Sequence, residues 1–193
     1  MSAFGCINNT ILLRSGIYFD LALPRAEHVR IDDIAGALSK ICRYGGQCPR
    51  FLSVAEHCCN CYDAALADGL GERIAKLCLL HDAAEAFVGD MVKPLKVMLP
   101  DFARIELAVE LAIQQAFQLR LNDGDLRAVK RIDMEMLIAE RLALWGDDGV
   151  VWTGQSEVKV RDLWIEGWEA SQAEAQFLDR AGKCGITIPK GGA

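Results

Sequence analysis

A histidine and two carboxylates lie within an otherwise apolar helical pattern at residues 74–88. Spacing of i, i+3 and i+4 puts His81 and Glu85 on one helix face with apolar neighbours, and Asp82 at its edge. The face reads Ile74, Leu77, Cys78, His81, Glu85 and Val88. Buried imidazoles and carboxylates are costly unless they are paired or bind a metal. The pattern therefore predicts one helix whose inner face needs a cation or a dense hydrogen-bond network; Gly89 ends this helix, and Asp90 follows.

Size and composition narrow the function classes. A chain of 193 residues that is 52% hydrophobic is long enough for one domain with a sizeable core. The net charge of −6 argues against a general nucleic-acid binder. No apolar run reaches the roughly 20 residues of a membrane span, and the first residues lack the pattern of a signal peptide. We therefore expect a cytoplasmic protein without a membrane partner.

Eight cysteines invite a metal or disulfide interpretation. Cys58 and Cys61 form a CxxC pair, but the sequence offers no second CxxC pair to complete a zinc site. Disulfides are disfavoured in a cytosolic chain. We expect most of the cysteines to be small buried hydrophobes.

The periodicity predicts an all-α bundle of six or seven helices with a small N-terminal β hairpin or arm. We divide the single domain into an arm (1–31), a core (32–145) and a helical tail (146–193). Either Asp32 or Asp33 is expected to cap a helix that ends near Cys42, and Ser53 with Glu56 forms a capping box for a helix to about Ala67. Further helices are predicted after Pro100, from Asn122 to about Trp145, and at 165–180.

Two more inward stripes carry residues that bind metals. His57 falls on the inner face of the Ser53 helix, and Asp133 falls on that of the helix ending near Trp145, where Glu140 also lies. Together with His81 and Asp82 they offer two imidazoles and two carboxylates. One divalent ion (Mn, Co, Fe, Ni, Zn or Mg) suits this set, and Glu85 would stand beside its water as an acid or base. The competing interpretation is a hydrogen-bonded core histidine at 57 and an ion pair between Asp133 and Lys130 or Arg131.

Several short segments in fixed order resemble the H…HD…D signature of the HD-domain phosphohydrolases, and most closely their bacterial 5′-deoxynucleotidase branch. The similarity spans about residues 40–145. The segments are Ala55-Glu56-His57, Leu80-His81-Asp82-Ala83-Ala84-Glu85, Gly89-Asp90, Pro94-Leu95-Lys96 and Lys130-Arg131-Ile132-Asp133. The resemblance implies an HD-domain helical bundle that commonly dimerises.

The resemblance also implies a role for each matched residue. The metal ligands would be His57, His81, Asp82 and Asp133. Glu85 would be the catalytic acid or base, and Asp90 a residue near the sugar or the attacking water. Arg43 and Tyr44 match an Arg–aromatic pair used against phosphate and base, although an indole is usual where Tyr44 stands.

Three further basic residues are candidate phosphate contacts. Lys96 belongs to the matched motif, whereas Lys93 fits a solvated turn equally well, and Arg50 reaches either the pocket or Glu56. The expected function is removal of phosphate from a nucleoside or deoxynucleoside 5′-monophosphate by a homodimer. A nucleotide pyrophosphatase or triphosphohydrolase is the alternative enzyme, and a metal-stabilised nucleotide-binding regulatory protein is the alternative from another class.

Overall fold

The computed structural model describes residues 9–187. Within this range six helices of at least eight residues build the fold, and a two-stranded hairpin precedes them. These helices are α1 (Ile31–Leu38), α2 (Val54–Ala67), α3 (Gly71–Leu80), α6 (Pro100–Ala116), α7 (Asp123–Trp145) and α8 (Ala170–Lys183). The single-turn helices α4 (Glu85–Val88) and α5 (Lys93–Lys96) lie between α3 and α6. The predicted all-α class with an N-terminal hairpin is confirmed.

The hairpin pairs β1 (Thr10–Leu12) with β2 (Tyr18–Asp20) in antiparallel register. Phe19 is buried and its ring lies 4.3 Å from that of Phe87, so the hairpin contributes to the core. The predicted acidic cap of α1 was wrong: the carboxylate of Asp33 accepts hydrogen bonds from the backbone N–H and hydroxyl of Ser15, at 2.8 and 2.6 Å. Asp33 therefore ties the hairpin to α1 instead of capping it.

Helix α2 is central and packs against α3, α7 and α8. It begins as predicted, because the Ser53 hydroxyl accepts the Glu56 backbone N–H at 3.1 Å. Four of the seven cysteines in the described range, Cys58, Cys59, Cys61 and Cys78, are buried, and all seven are free thiols. The prediction of buried, unbridged cysteines holds there, while Cys6 lies outside the described residues.

Residues 158–169 form a strap without regular secondary structure before α8, and Ile165 in this strap is buried. The last helix starts at Ala170, five residues later than predicted, because the Glu56 carboxylate binds strap residues that the prediction placed in the helix. This carboxylate accepts hydrogen bonds from the backbone N–H groups of Glu166, Gly167 and Trp168 at 2.8–3.0 Å. Glu56 thus serves the strap and leaves the capping box half formed. No helix in residues 9–187 combines the length and apolarity needed to cross a bilayer.

Candidate metal centre

His81 and Asp82 occupy a tight turn between α3 and α4, and the predicted single helix through residue 88 was wrong at this point. The backbone N–H groups of Ala83 and Glu85 donate to the carbonyls three residues earlier, at 3.1 and 3.0 Å. The His81 Nδ1 lies 2.7 Å from the carbonyl oxygen of Cys78, which occupies an acceptor that a continuing helix would use. Tightening of the helix into this turn places His81 and Asp82 side by side at the end of α3.

Four donor atoms from three elements, namely this turn, α2 and α7, meet here. His57 comes from the first turn of α2, where its side chain is 0% exposed, and Asp133 comes from α7. The His57 and His81 Nε2 atoms are 3.3 Å apart. The Asp82 Oδ2 lies 3.6 Å from His57 Nε2 and 3.2 Å from His81 Nε2, and the Asp133 Oδ1 lies 3.5 and 3.6 Å from the same atoms. The predicted ligands therefore face one common point.

These separations fit a bound ion. Two donors held about 2.0–2.1 Å from one metal lie roughly 3.4 Å apart at a tetrahedral angle and roughly 2.9 Å apart at a right angle. Two imidazole nitrogens and two carboxylate oxygens are ligands suited to a borderline divalent ion. Asp133 also forms the alternative ion pair expected from the sequence, since its Oδ2 lies 2.9 Å from Lys130 Nζ. The two interpretations use different oxygens of one carboxylate and are compatible.

Each imidazole is oriented by an acceptor at its Nδ1 atom, while its Nε2 atom is directed at the centre. His57 Nδ1 lies 2.5 Å from Glu140 Oε1, and His81 Nδ1 lies 2.7 Å from the Cys78 carbonyl oxygen. An acceptor at Nδ1 fixes the proton there and leaves the Nε2 lone pair free for a metal. Each histidine thus presents to the centre the nitrogen that a metal needs.

Glu140 is the residue that sequence reasoning left without a role. It is fully buried two helical turns after Asp133, and its Oε2 accepts hydrogen bonds from Arg43 Nε at 2.9 Å and from the Tyr44 hydroxyl at 3.0 Å. Its position on the inward face of α7 was the one feature of the sequence that indicated a buried carboxylate. One carboxylate therefore joins a candidate metal ligand to the loop that carries Arg43 and Tyr44.

That loop is a short turn at Arg43–Gly46. Tyr44 has a φ of 58°, a left-handed conformation that is uncommon for residues other than glycine, and Gly45 and Gly46 continue it. Arg43 is buried, and its Nη1 lies 3.6 Å from Asp82 Oδ2. The turn thereby places a guanidinium beside the candidate ligands, and the ring centres of Tyr44 and Trp145 lie 5.1 Å apart in an edge-to-face arrangement.

The ligand set is strongly polarised. Burial alone would raise the pKa of Asp82, but the adjacent His81 and His57 lower it to about 2. The same imidazoles hold the pKa of Asp133 well below its usual value despite burial. Burial opposes protonation of His81, yet Asp82 and Asp133 raise the pKa of His81 well above the normal range. The two carboxylates are thus stabilised by positive charge placed between them. A divalent cation would supply that charge in place of the imidazole protons.

The pKa of Glu85 is raised, in contrast to the lowered pKa values of Asp82 and Asp133. Burial, together with the negative charges of Asp82 and Asp90, raises the pKa of Glu85 to about 9. Its Oε2 atom is buried and has no hydrogen-bond partner among the described residues. Burial also raises the pKa of Asp90, which follows Gly89 at the end of α4. Glu85 is therefore a carboxyl that keeps its proton at neutral pH in the protein without an ion.

The other three basic candidates lie in different surroundings. Lys96 pairs with Glu106 of α6, and the guanidinium of Arg50 lies 5.7 Å from the ring centre of Trp164. Lys93 is exposed at the start of α5. The structure thus brings Arg43 to the ligand set, while phosphate roles for Arg50, Lys93 and Lys96 stay predictions.

A cavity of about 130 Å³ adjoins His81 between α3, α6 and α7. Its lining is mainly apolar, with Glu110 and Gln114 as polar members. The volume is below the roughly 300–1,000 Å³ of most small-molecule sites. A larger cavity of about 380 Å³, near Asn60 and Arg161, contains none of the candidate ligands.

The fold and these contacts define an all-α protein with a candidate metal centre of two histidines and two aspartates. No family model matches the chain. Over 138 residues it is 36% identical to the uncharacterized protein YfdR of Escherichia coli (strain K12), which covers 72% of this chain and 74% of YfdR. It is 38% identical over 138 residues to the uncharacterized protein RCAP_rcc00048 of Rhodobacter capsulatus, which covers 67% of this chain and 70% of that protein. The chain belongs to the protein family that includes YfdR and RCAP_rcc00048.

Proposed function

We propose that the protein is a metal-dependent phosphohydrolase that removes phosphate from a nucleoside or deoxynucleoside 5′-monophosphate. One observation carries the proposal: the Nε2 atoms of His57 and His81 each lie 3.2–3.6 Å from one another and from one oxygen of Asp82 and of Asp133, close to a buried carboxyl, Glu85, whose pKa is raised. The resemblance of the sequence to the HD-domain phosphohydrolases supports the same reaction class.

The ligand set provides a site for one divalent ion. His57, His81, Asp82 and Asp133 would hold it. Such an ion polarises a phosphoryl oxygen and makes water more acidic when bound. The side chains of His81, Asp82 and Asp133 are partly exposed, so substrate can approach from their side while His57 closes the buried side.

Glu85 is proposed as the proton donor. Burial and the neighbouring carboxylates raise the pKa of its carboxyl to about 9 in the ion-free protein, and the O–H of the protonated carboxyl can transfer its proton to the ester oxygen that leaves with the nucleoside. A nearby cation lowers the pKa of a carboxyl. A bound ion would therefore move the pKa of Glu85 towards neutral pH, where a group can both donate and accept a proton efficiently. Asp90, close enough to influence this pKa, is proposed to contact the sugar or the attacking water.

Arg43 is proposed to bind the phosphate. Its guanidinium lies at the edge of the ligand set, next to Asp82, and the Glu140 carboxylate fixes its orientation. A preoriented guanidinium binds phosphate through paired, charge-assisted hydrogen bonds. Tyr44 is proposed to face the base, and its hydroxyl is held by the same carboxylate.

Phosphate release with added Mn²⁺ or Co²⁺ tests the function on nucleoside mono-, di- and triphosphates. The proposal expects release from monophosphates. Release of pyrophosphate from triphosphates alone would support the nucleotide pyrophosphatase instead, and release of inorganic triphosphate would support the triphosphohydrolase. Binding of ion and nucleotide without any hydrolysis would support the regulatory protein. The expected homodimer is tested by light scattering on the same sample.

The variant Glu85→Gln separates chemistry from metal binding. It keeps the size of the side chain but removes the titrating proton, so we expect full metal content and nucleotide binding with kcat lower by at least about a hundredfold. Metal content and kcat are measured on one preparation. Near-normal kcat with full metal would remove Glu85 from the mechanism, and lost metal would identify it as a ligand.

A further inference from the structure

Buried thiols line the inner side of the candidate metal centre. Cys61 follows His57 by one helical turn on α2, and its Sγ lies 3.5 Å from His57 Nε2. Donor atoms of His57, Cys61 and His81 all lie within 4.8 Å of one another. The same holds for Cys58, His81 and Asp82. The CxxC pair, which lacked a second ligand pair in the sequence, thus meets both histidines in space.

We propose that Cys61 is a thiolate ligand of the ion at this centre, which makes the site a mixed nitrogen, oxygen and sulfur site. The inference rests on the metal site of the proposed function but not on its reaction. It adds a donor to the four derived above and narrows the choice of metal.

The geometry at His57 supports a shared ion. A metal–nitrogen bond of about 2.05 Å and a metal–sulfur bond of about 2.3 Å place the two donors roughly 3.6 Å apart at a tetrahedral angle, and two nitrogens roughly 3.4 Å apart. The observed distances are 3.5 Å from Cys61 Sγ to His57 Nε2 and 3.3 Å between the two Nε2 atoms. Both match without rearrangement of the helix that carries His57 and Cys61.

The Cys61 sulfur lies next to Nε2 of His57, the ring nitrogen that is available to a metal. His57 Nδ1 is engaged by Glu140, so Nε2 is the atom that faces the ion. Cys61 Sγ approaches Nε2, and both residues are fully buried on one face of α2. A sulfur in this position is directed at the space that the metal would occupy rather than at the outer hydrogen-bond shell of the histidine.

Ligation has a simple proton balance. The Cys61 S–H bond breaks, the proton passes to solvent, and the electron pair that remains on sulfur forms the metal bond. Thiolate ligands favour Zn²⁺ and other borderline or soft ions and disfavour Mg²⁺. Of the ions that suit two imidazoles and two carboxylates, the proposal selects Zn²⁺, Co²⁺ and Fe²⁺ over Mg²⁺ and Mn²⁺.

Cobalt spectroscopy tests the ligand directly. The full chain is freed of metal and titrated with Co²⁺, and we expect the near-ultraviolet charge-transfer band of a thiolate bound to Co²⁺. Cys61→Ser and Cys61→Ala should both lose the band, so that one variant remains if the other fails to fold. Cys59→Ser is the matched control, because Cys59 is equally buried on α2 but its charged neighbours are Arg180, Asp63 and Glu56.

Metal competition provides a second measurement. Zn²⁺ should displace Co²⁺ and abolish the band, whereas excess Mg²⁺ should not. The preference for Zn²⁺ over Mg²⁺ should fall at least about tenfold in Cys61→Ser, the low end of the loss caused by removing even an outer-shell partner.

The possible results distinguish the two proposals. Absence of Co²⁺ binding by the unsubstituted protein would contradict the metal centre itself. Stoichiometric binding without a thiolate band would overturn the Cys61 ligand and leave the centre intact. A band that survives in Cys61→Ser and Cys61→Ala but disappears in Cys58→Ser would move the sulfur ligand to Cys58.

Discussion

The substitution Glu140→Gln tests the two roles of the buried carboxylate that joins His57 to Arg43 and Tyr44. One oxygen accepts from His57 and the other accepts from both Arg43 and Tyr44. Burial would raise the pKa of Glu140, but Arg43 and His57 lower it, so the group is a carboxylate in the folded protein. Glutamine has nearly the same shape, yet its NH₂ group faces N–H or O–H donors on one side and its charge is lost.

The magnitude follows from these contacts. Removal of one partner from a buried charge pair costs about 3–5 kcal/mol, which lowers the Tm of a protein of this size by roughly 6–20 °C. Loss of the carboxylate that orients a metal-bound histidine lowers metal affinity by about 10–100-fold. Both effects are expected together in Glu140→Gln.

Glu135→Gln provides the matched control. Glu135 is as buried as Glu140 on the same helix, but it pairs with Arg131 and Arg161 rather than with the centre. Thermal unfolding and Co²⁺ affinity are measured for both variants. Both should lose stability, whereas only Glu140→Gln should lose affinity. Equal affinities for Glu140→Gln and the unsubstituted protein would refute the orienting role of Glu140.

Three other outcomes are expected. Asp82→Ala should lose the ion and unfold at lower temperature, because buried imidazoles lose their partner; full metal content in the variant would contradict the ligand set. Arg43→Ala should mainly raise KM for the nucleotide, and KM of Arg43→Lys should lie between those of Arg43→Ala and the unsubstituted protein. An unchanged KM in Arg43→Ala would make the loop purely structural. Hydrogen bonds from Arg161 and Arg131 lower the pKa of Asp68, so its contribution to stability is present above the unfolded value near 3.9 and disappears as pH falls further. Urea unfolding of Asp68→Asn should accordingly show a weaker loss of stability below about pH 4, and a pH profile equal to that of the unsubstituted protein would count against this.

The sequence predicted the helical class and the inward faces because apolar periodicity reports burial directly. His57 and Asp133, 76 positions apart, were placed on such faces by spacing alone, and their donor atoms lie 3.5 Å apart. The start of a helix was predicted well where its capping partner is local. The Ser53 hydroxyl caps α2 as predicted, and the helix predicted from Asn122 begins there because the Asn122 side chain accepts a hydrogen bond from the Asp125 backbone N–H at 3.0 Å.

Predictions were wrong where a distant partner decides the conformation. Asp33 binds the hairpin rather than its own helix, and Glu56 binds a strap more than a hundred residues further along the chain. The helix around His81 tightens because its side chain takes a backbone acceptor, which periodicity cannot reveal. The role of Glu140 required knowing that Arg43 folds back against α7.

Asp133 and Glu140 are seven residues apart on α7, which brings them to nearly the same angle around the helix about 10 Å apart along its axis. This spacing has an evolutionary consequence. Insertion or deletion of one residue between the two positions would rotate one carboxylate by about 100° away from the centre. Across related sequences the interval should therefore be invariant in length. Lineages that abandon one of these acids should be free to lose the other, so that the two positions are retained or replaced as a pair.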